Sequence, residues 1–135
     1  MEENRIEGHA ADRLKALGVT LVYLFGSVAE GISHDLSDID VGIVVQDPKM
    51  LDEHSFELYN ELYDILTEVL QGGELDIVFL QAAGLEVCFD AIGHGRILFA
   101  TSSDARYAFE ERTMILYADF KPVLDDFNEA VLERI

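Results

Sequence analysis

Apolar residues recur along this chain in two rhythms, spaced three and four apart in some stretches and alternating or continuous in others, and together they predict the order of elements. A first helix is expected from about Glu3 to Leu17, stopped by Gly18. The apolar run "VTLVYLF" reads as a strand ending at Gly26-Ser27. "SVAEG" then reads as a short helical turn, "ISHDLS" as a loop and "DIDVGIVV" as a second strand closed by "QDPK". From His54 to Gln71, apolar residues at helical spacing predict a broadly apolar, well-buried helix ending at Gly72-Gly73. A third strand "ELDIVFL", a helix over "QAAGLEVCFDAIGHG", a short strand "RILFA" and a helical segment from about Ser103 complete the order. Strands interleaved with helices favour an α/β or α+β fold, a small mixed β-sheet with helices packed on it. No repeat or Pro/Gly/Ser-rich linker divides the sequence, so residues 1–135 are expected to be one domain, with 103–135 its helical C-terminal segment.

The strand pattern carries an anomaly. Residues two apart in a strand share a face, so Asp38, Asp40, Gly42 and Val44 point one way while Ile39, Val41, Ile43 and Val45 point the other. The second set is core. The first opens with two carboxylates, and burying an ionised carboxylate is costly unless it is paired or bound to a cation. The third strand repeats the feature with Asp76 among Leu75, Ile77, Val78 and Phe79. Should that strand lie beside the second, Asp76 joins Asp38 and Asp40 in a three-carboxylate cluster. Oxygen ligands on rigid strands suit magnesium, which takes one or two protein carboxylates together with substrate phosphates.

A glycine leaving a strand allows a sharp turn, and backbone amides opening a helix after it form an anion site. Gly26 and Ser27 are therefore candidates to hold a phosphate. "SVAE" also satisfies the capping-box pattern, in which Ser27 and Glu30 satisfy each other's backbone donors. A nucleoside triphosphate with its phosphates at this turn and two metal ions on the aspartates accounts for both features.

Charge changes the picture of partners. Nine basic residues against 27 acidic ones give a net charge of −18, which argues against direct binding to nucleic acid or an anionic membrane. Lys49 is the one basic residue between Ala16 and Gly95, so positive charge at the site must come from metal, backbone amides, or Arg96, Arg106, Arg112 and Lys121 folding back. For Arg106 and Arg112 the plainer expectation is solvation of the C-terminal helix. The N-terminus lacks a secretory or transit pattern and no stretch is long enough to span a membrane, so the chain reads as cytoplasmic. Cys88 reads as a small buried thiol, Asp35 and Asp47 as loop and turn residues, and His34 as a loop residue. His9, His54 and His94 have no ligand spacing among them.

In the C-terminal segment Tyr117, Phe120, Leu124, Phe127 and Val131 form one apolar stripe, expected as core in its first half and equally as core or docking surface beyond. Pro122 is expected to end or kink this helix near Phe120 to Lys121, or to open a second one.

"GSVAEG", "SDID" and "LDIVFL" together resemble the minimal nucleotidyltransferases of the DNA polymerase β-like superfamily. That family's pattern is Gly-Ser, a glycine a few residues on, Asp-x-Asp in a strand and a third carboxylate on a neighbouring strand. The resemblance implies that Gly26 and Ser27 bind the nucleotide and that Asp38, Asp40 and Asp76 bind metal and are catalytic. "ARYAFEERTMILYADFKPVLDDF" further resembles the tail of MntA-type antitoxins of HEPN/MNT toxin–antitoxin pairs. This implies AMP transfer from ATP, with Mg2+, to a tyrosine of a HEPN ribonuclease toxin, in a hetero-oligomer with that toxin; a homodimer of the chain alone stays open. Glu30 departs from the pattern, standing where family members often carry a basic residue, and is expected to turn away into the capping box. The alternative is a non-catalytic acidic antitoxin that neutralises its toxin by binding, which the −18 charge favours. Transfer to a small molecule is disfavoured by so short a chain.

Overall fold

The computed structural model describes residues 6–26, 39–71 and 74–133. Helix α1 spans Gly8–Ala16, strand β1 Val19–Phe25, strand β2 Ile39–Val45, helices α2 and α3 Met50–Glu53 and Ser55–Val69, strand β3 Leu75–Phe79, helix α4 Leu85–His94, strand β4 Arg96–Ala100 and helix α5 Ser103–Glu133. The four strands form one sheet in the order β3-β2-β1-β4. β1 runs antiparallel to β2 and β4, and β2 runs parallel to β3, giving the mixed α/β sheet expected.

The sheet is covered on both faces because its central strands are apolar on both. Val22, Leu24, Val41, Ile43 and Val45 belong to one core with Leu14 of α1 and Leu58, Leu62, Ile65 and Leu66 of α3. Leu21, Tyr23, Phe25 and Val44 belong to the other with Leu80, with Cys88 and Ala91 of α4, and with Phe109 of α5 at its margin. The alternation expected in β2 is thus realised, with Ile39, Val41, Ile43 and Val45 in the first core and Val44 in the second.

Four expectations are corrected. α1 begins at Gly8 and does not include Ile6 or Glu7, because Glu7 is extended and the Ile6 amide donates to the Leu98 carbonyl at 2.7 Å, tying these two residues to the edge of β4. The helix expected from Gln81 begins at Leu85, after a 3-10 turn at Leu80–Ala82. The turn persists because the Gln81 side chain serves the ladder: its Nε2 donates to the Val45 carbonyl (2.8 Å) and its Oε1 accepts from the Val45 amide (2.7 Å). α3 buries a narrower face than expected, leaving Phe56 77% exposed. α5 neither ends at Pro122 nor gives way to a second helix there, but continues through it. A proline there leaves the carbonyl four residues back without its intrahelical donor; that residue, Ala118, is exposed, so water can replace the bond.

α5 is anchored to the sheet at its first half. The Tyr23 hydroxyl donates to Glu110 Oε2 at 2.7 Å, and the same oxygen accepts from Arg106 Nε at 2.8 Å. Phe89 of α4 stacks on Tyr117 at a centroid distance of 4.1 Å.

Candidate active site

The candidate site lies where β1 ends and β2 and β3 begin. In the β1–β2 ladder Phe25 is the register partner of Asp40, and in the β2–β3 ladder Asp40 is the register partner of Asp76. Register partners on adjacent strands share a face and stand about 4.8 Å apart, so the two aspartates project from the same face of the sheet. Asp40 is half-buried and Asp76 exposed, which places the pair at an open rim. The rim closes within one step of the strand. Gly42, on the same face of β2, is buried beneath Leu80, whose side-chain carbons would stand 3.0–3.1 Å from a Cβ at that position.

Gly26 completes the described part of the site. Its φ of +80° is in the left-handed region, which glycine alone adopts without strain. Glycine is required there on a second count, because a Cβ on it would overlap Asp40 Oδ2. The turn thus brings its backbone directly against the Asp40 carboxylate. Ser27, Glu30, His34, Asp35 and Asp38, and with them the expected capping box and the first aspartate of the pair, lie outside the described residues.

Three of the basic residues considered for the site are occupied elsewhere. Arg106 is held by Glu110, and Lys121 pairs with Asp125 at 2.8 Å further along α5. Arg112 lines an apolar cleft with Pro48, Leu80, Cys88 and Phe109, at the opposite end of β2 from Asp40. Arg96 opens β4 as the register partner of Leu24, a residue of the core on the other face of the sheet. The Cys88 thiol is buried and donates to the Leu80 carbonyl at 3.0 Å, and burial pushes its pKa up. Asp47 accepts from the Lys49 amide at 3.1 Å, a turn role as expected.

One supporting residue was invisible in the pattern. Gly95 follows α4 and reads as an ordinary helix stop, yet a Cβ there would lie 2.7 Å from the Leu24 carbonyl oxygen and 3.0 Å from Phe25 Cβ. Its lack of a side chain lets the end of α4 close against the end of β1, one residue before Gly26.

Two aspartates on one face of an open rim, with a backbone turn against Asp40, offer oxygen donors suited to a hard divalent ion and a phosphate chain. Comparison with known proteins agrees with that chemistry. The chain is 30% identical over 131 residues to the protein adenylyltransferase MntA of Shewanella oneidensis, covering 93% of this chain and 87% of that protein. It resembles a chain of a toxin–antitoxin complex crystallised with AMP-PNP (27% identity, TM-score 0.62, 86% of this chain and 93% of that one). It also shares its fold with a chain of the complex between tri-AMPylated Shewanella oneidensis HEPN toxin and MNT antitoxin (23% identity, TM-score 0.54, 87% and 95% covered). The profile of the Polymerase beta nucleotidyltransferase family matches residues 11–104, a span that includes Gly26, Asp40 and Asp76, and the chain belongs to that family.

Proposed function

We propose that this nucleotidyltransferase moves AMP from ATP to a tyrosine hydroxyl of a HEPN-type toxin and so acts as that toxin's antitoxin in the cytoplasm. The observation that carries the reading is the register pairing of Asp40 with Asp76 against the Gly26 turn. The 30% identity to the protein adenylyltransferase MntA supports the choice of AMP and of a protein acceptor.

In this reading the Gly26-Ser27 turn holds the triphosphate through backbone amides, and Asp38, Asp40 and Asp76 hold Mg2+. The described donors fit that ion, Asp40 and Asp76 offering carboxylate oxygens on adjacent strands with Asp40 pressed against the Gly26 backbone. Magnesium supplies neutralisation of the charge on the triphosphate. The acceptor oxygen forms a bond to the α-phosphorus while the bond from that phosphorus to pyrophosphate breaks. Asp76, the more exposed of the described pair, takes the proton of the acceptor hydroxyl. Arg106 and Lys121, bound to Glu110 and Asp125, take no part.

Intact-mass spectrometry of the co-expressed toxin tests this. One or more AMP units are expected with the wild-type chain and none with Asp38→Asn plus Asp40→Asn. A stable complex with unmodified toxin would overturn AMP transfer and leave neutralisation by the acidic surface.

A further inference from the structure

We propose that the distal half of α5 is the docking surface for the protein partner, and that it receives an amphipathic helix carrying basic residues along one flank. The proposal rests on the reading that the chain's acceptor is a protein. Along α5 the face that begins at Phe109 and Thr113, against the body of the molecule, continues outward. Thr113 is 3% exposed, whereas on the same face Val123 and Phe127 are 61% and 64% exposed. Leu116, Phe120, Val123, Phe127 and Val131 recur at intervals of four, three, four and four, close to the spacing of a seam that packs helix against helix. A seam of that length runs about 22 Å at 1.5 Å per residue, four turns of helix. A helix of this kind is stabilised chiefly by what covers its apolar face.

Charge selects the occupant. Asp119, Asp126 and Glu133 stand seven residues apart and form an acidic flank to the seam. Lys121, the one basic residue between Met114 and Glu133, is already paired with Asp125. A second copy would bring another chain of net charge −18 against this flank, whereas a helix with lysine or arginine beside its own apolar seam satisfies it.

The test is the affinity of the full chain for its HEPN-type toxin, measured by titration calorimetry together with the toxin's intact mass. Val123→Asp plus Phe127→Asp is expected to weaken binding by about 30-fold or more, with circular dichroism and the thermal midpoint unchanged. Asp119→Lys plus Asp126→Lys, which leaves the seam intact, is expected to weaken it as well. Asp40→Asn is expected to bind as wild type while leaving the toxin's mass unmodified, so loss of docking and loss of AMP transfer are separated. Wild-type affinity in both α5 variants, or no complex between the wild-type chain and the toxin, would overturn the proposal. So would a dimer of the chain alone that the α5 variants dissolve, since a second copy would then be the occupant.

Discussion

A methyl group on Gly26 would overlap Oδ2 of Asp40. Strand end and carboxylate are packed so closely that the glycine is part of the site's shape. Gly26→Ala therefore acts twice: the left-handed φ of +80° costs about 1–2 kcal/mol for a residue with a side chain, and the carboxylate must move. Transfer activity is expected to fall at least about tenfold, beyond what a modest drop in thermal midpoint explains. Activity and melting measured on the same preparation check this.

Asp76 is exposed on β3, so Asp76→Asn is expected to leave stability within about 0.5 kcal/mol of wild type. In the proposed reading Asp76 is one of the carboxylates that hold metal; its removal then forfeits several kcal/mol of charge stabilisation, and transfer is expected to drop about 100-fold or more. Raising magnesium should recover part of the loss if Asp76 holds the ion. Activity as a function of magnesium concentration reads the outcome.

Tyr23 and Cys88 each contribute stability that is lost at alkaline pH. Burial, then the hydrogen bond to Glu110, drives the Tyr23 pKa up, and burial does the same for Cys88. The unfolded chain releases these protons near their ordinary values of 10.0 and 9.0, while the folded chain keeps them. Above those values the unfolded state binds fewer protons, so this contribution to stability is fully present below about pH 9 and shrinks as pH rises. Urea midpoints measured from pH 7 to 11 should fall above pH 9, and Tyr23→Phe plus Cys88→Ala should flatten the decline. Tyr23→Phe itself should cost about 1 kcal/mol at pH 7, Glu110 keeping its bond to Arg106.

Gln81→Ala removes both partners of the Val45 backbone at once. With an amide and a carbonyl left unmet at a partly buried position, a loss of about 1–3 kcal/mol is expected. Hydrogen exchange at the Val45 amide should accelerate more than the global loss requires.

Much of the frame was legible because strand signals here are unusually clean. β1 and β4 coincide with the apolar runs "VTLVYLF" and "RILFA", and the alternation in β2 sorted its two faces correctly. Asp40 and Asp76 stood out because a carboxylate in an apolar strand demands a reason. What stayed hidden depends on long-range geometry. The start of α1 is decided by where the Ile6 amide finds an acceptor, and Gln81 leaves its expected helix because Val45 needs its amide. The same glycine letter covers a left-handed turn at Gly26, a roof of Leu80 over Gly42 and a close approach at Gly95. The Tyr23–Glu110 bond spans elements no local pattern connects.

The parallel pairing of β2 with β3 also bears on how the molecule acquires activity. Asp40 and Asp76 both sit at strand starts, and the connection through α2 and α3 must travel the length of the sheet and return before they meet. Such non-local pairing forms late, because loop-closure entropy is lost before the contact stabilises anything. Helices α3 and α5 can therefore form while the chain is still inert. A refolding experiment followed in parallel by far-ultraviolet dichroism and by AMP transfer should show catalysis returning in the slowest phase, so that a newly made chain gains its helices before its chemistry.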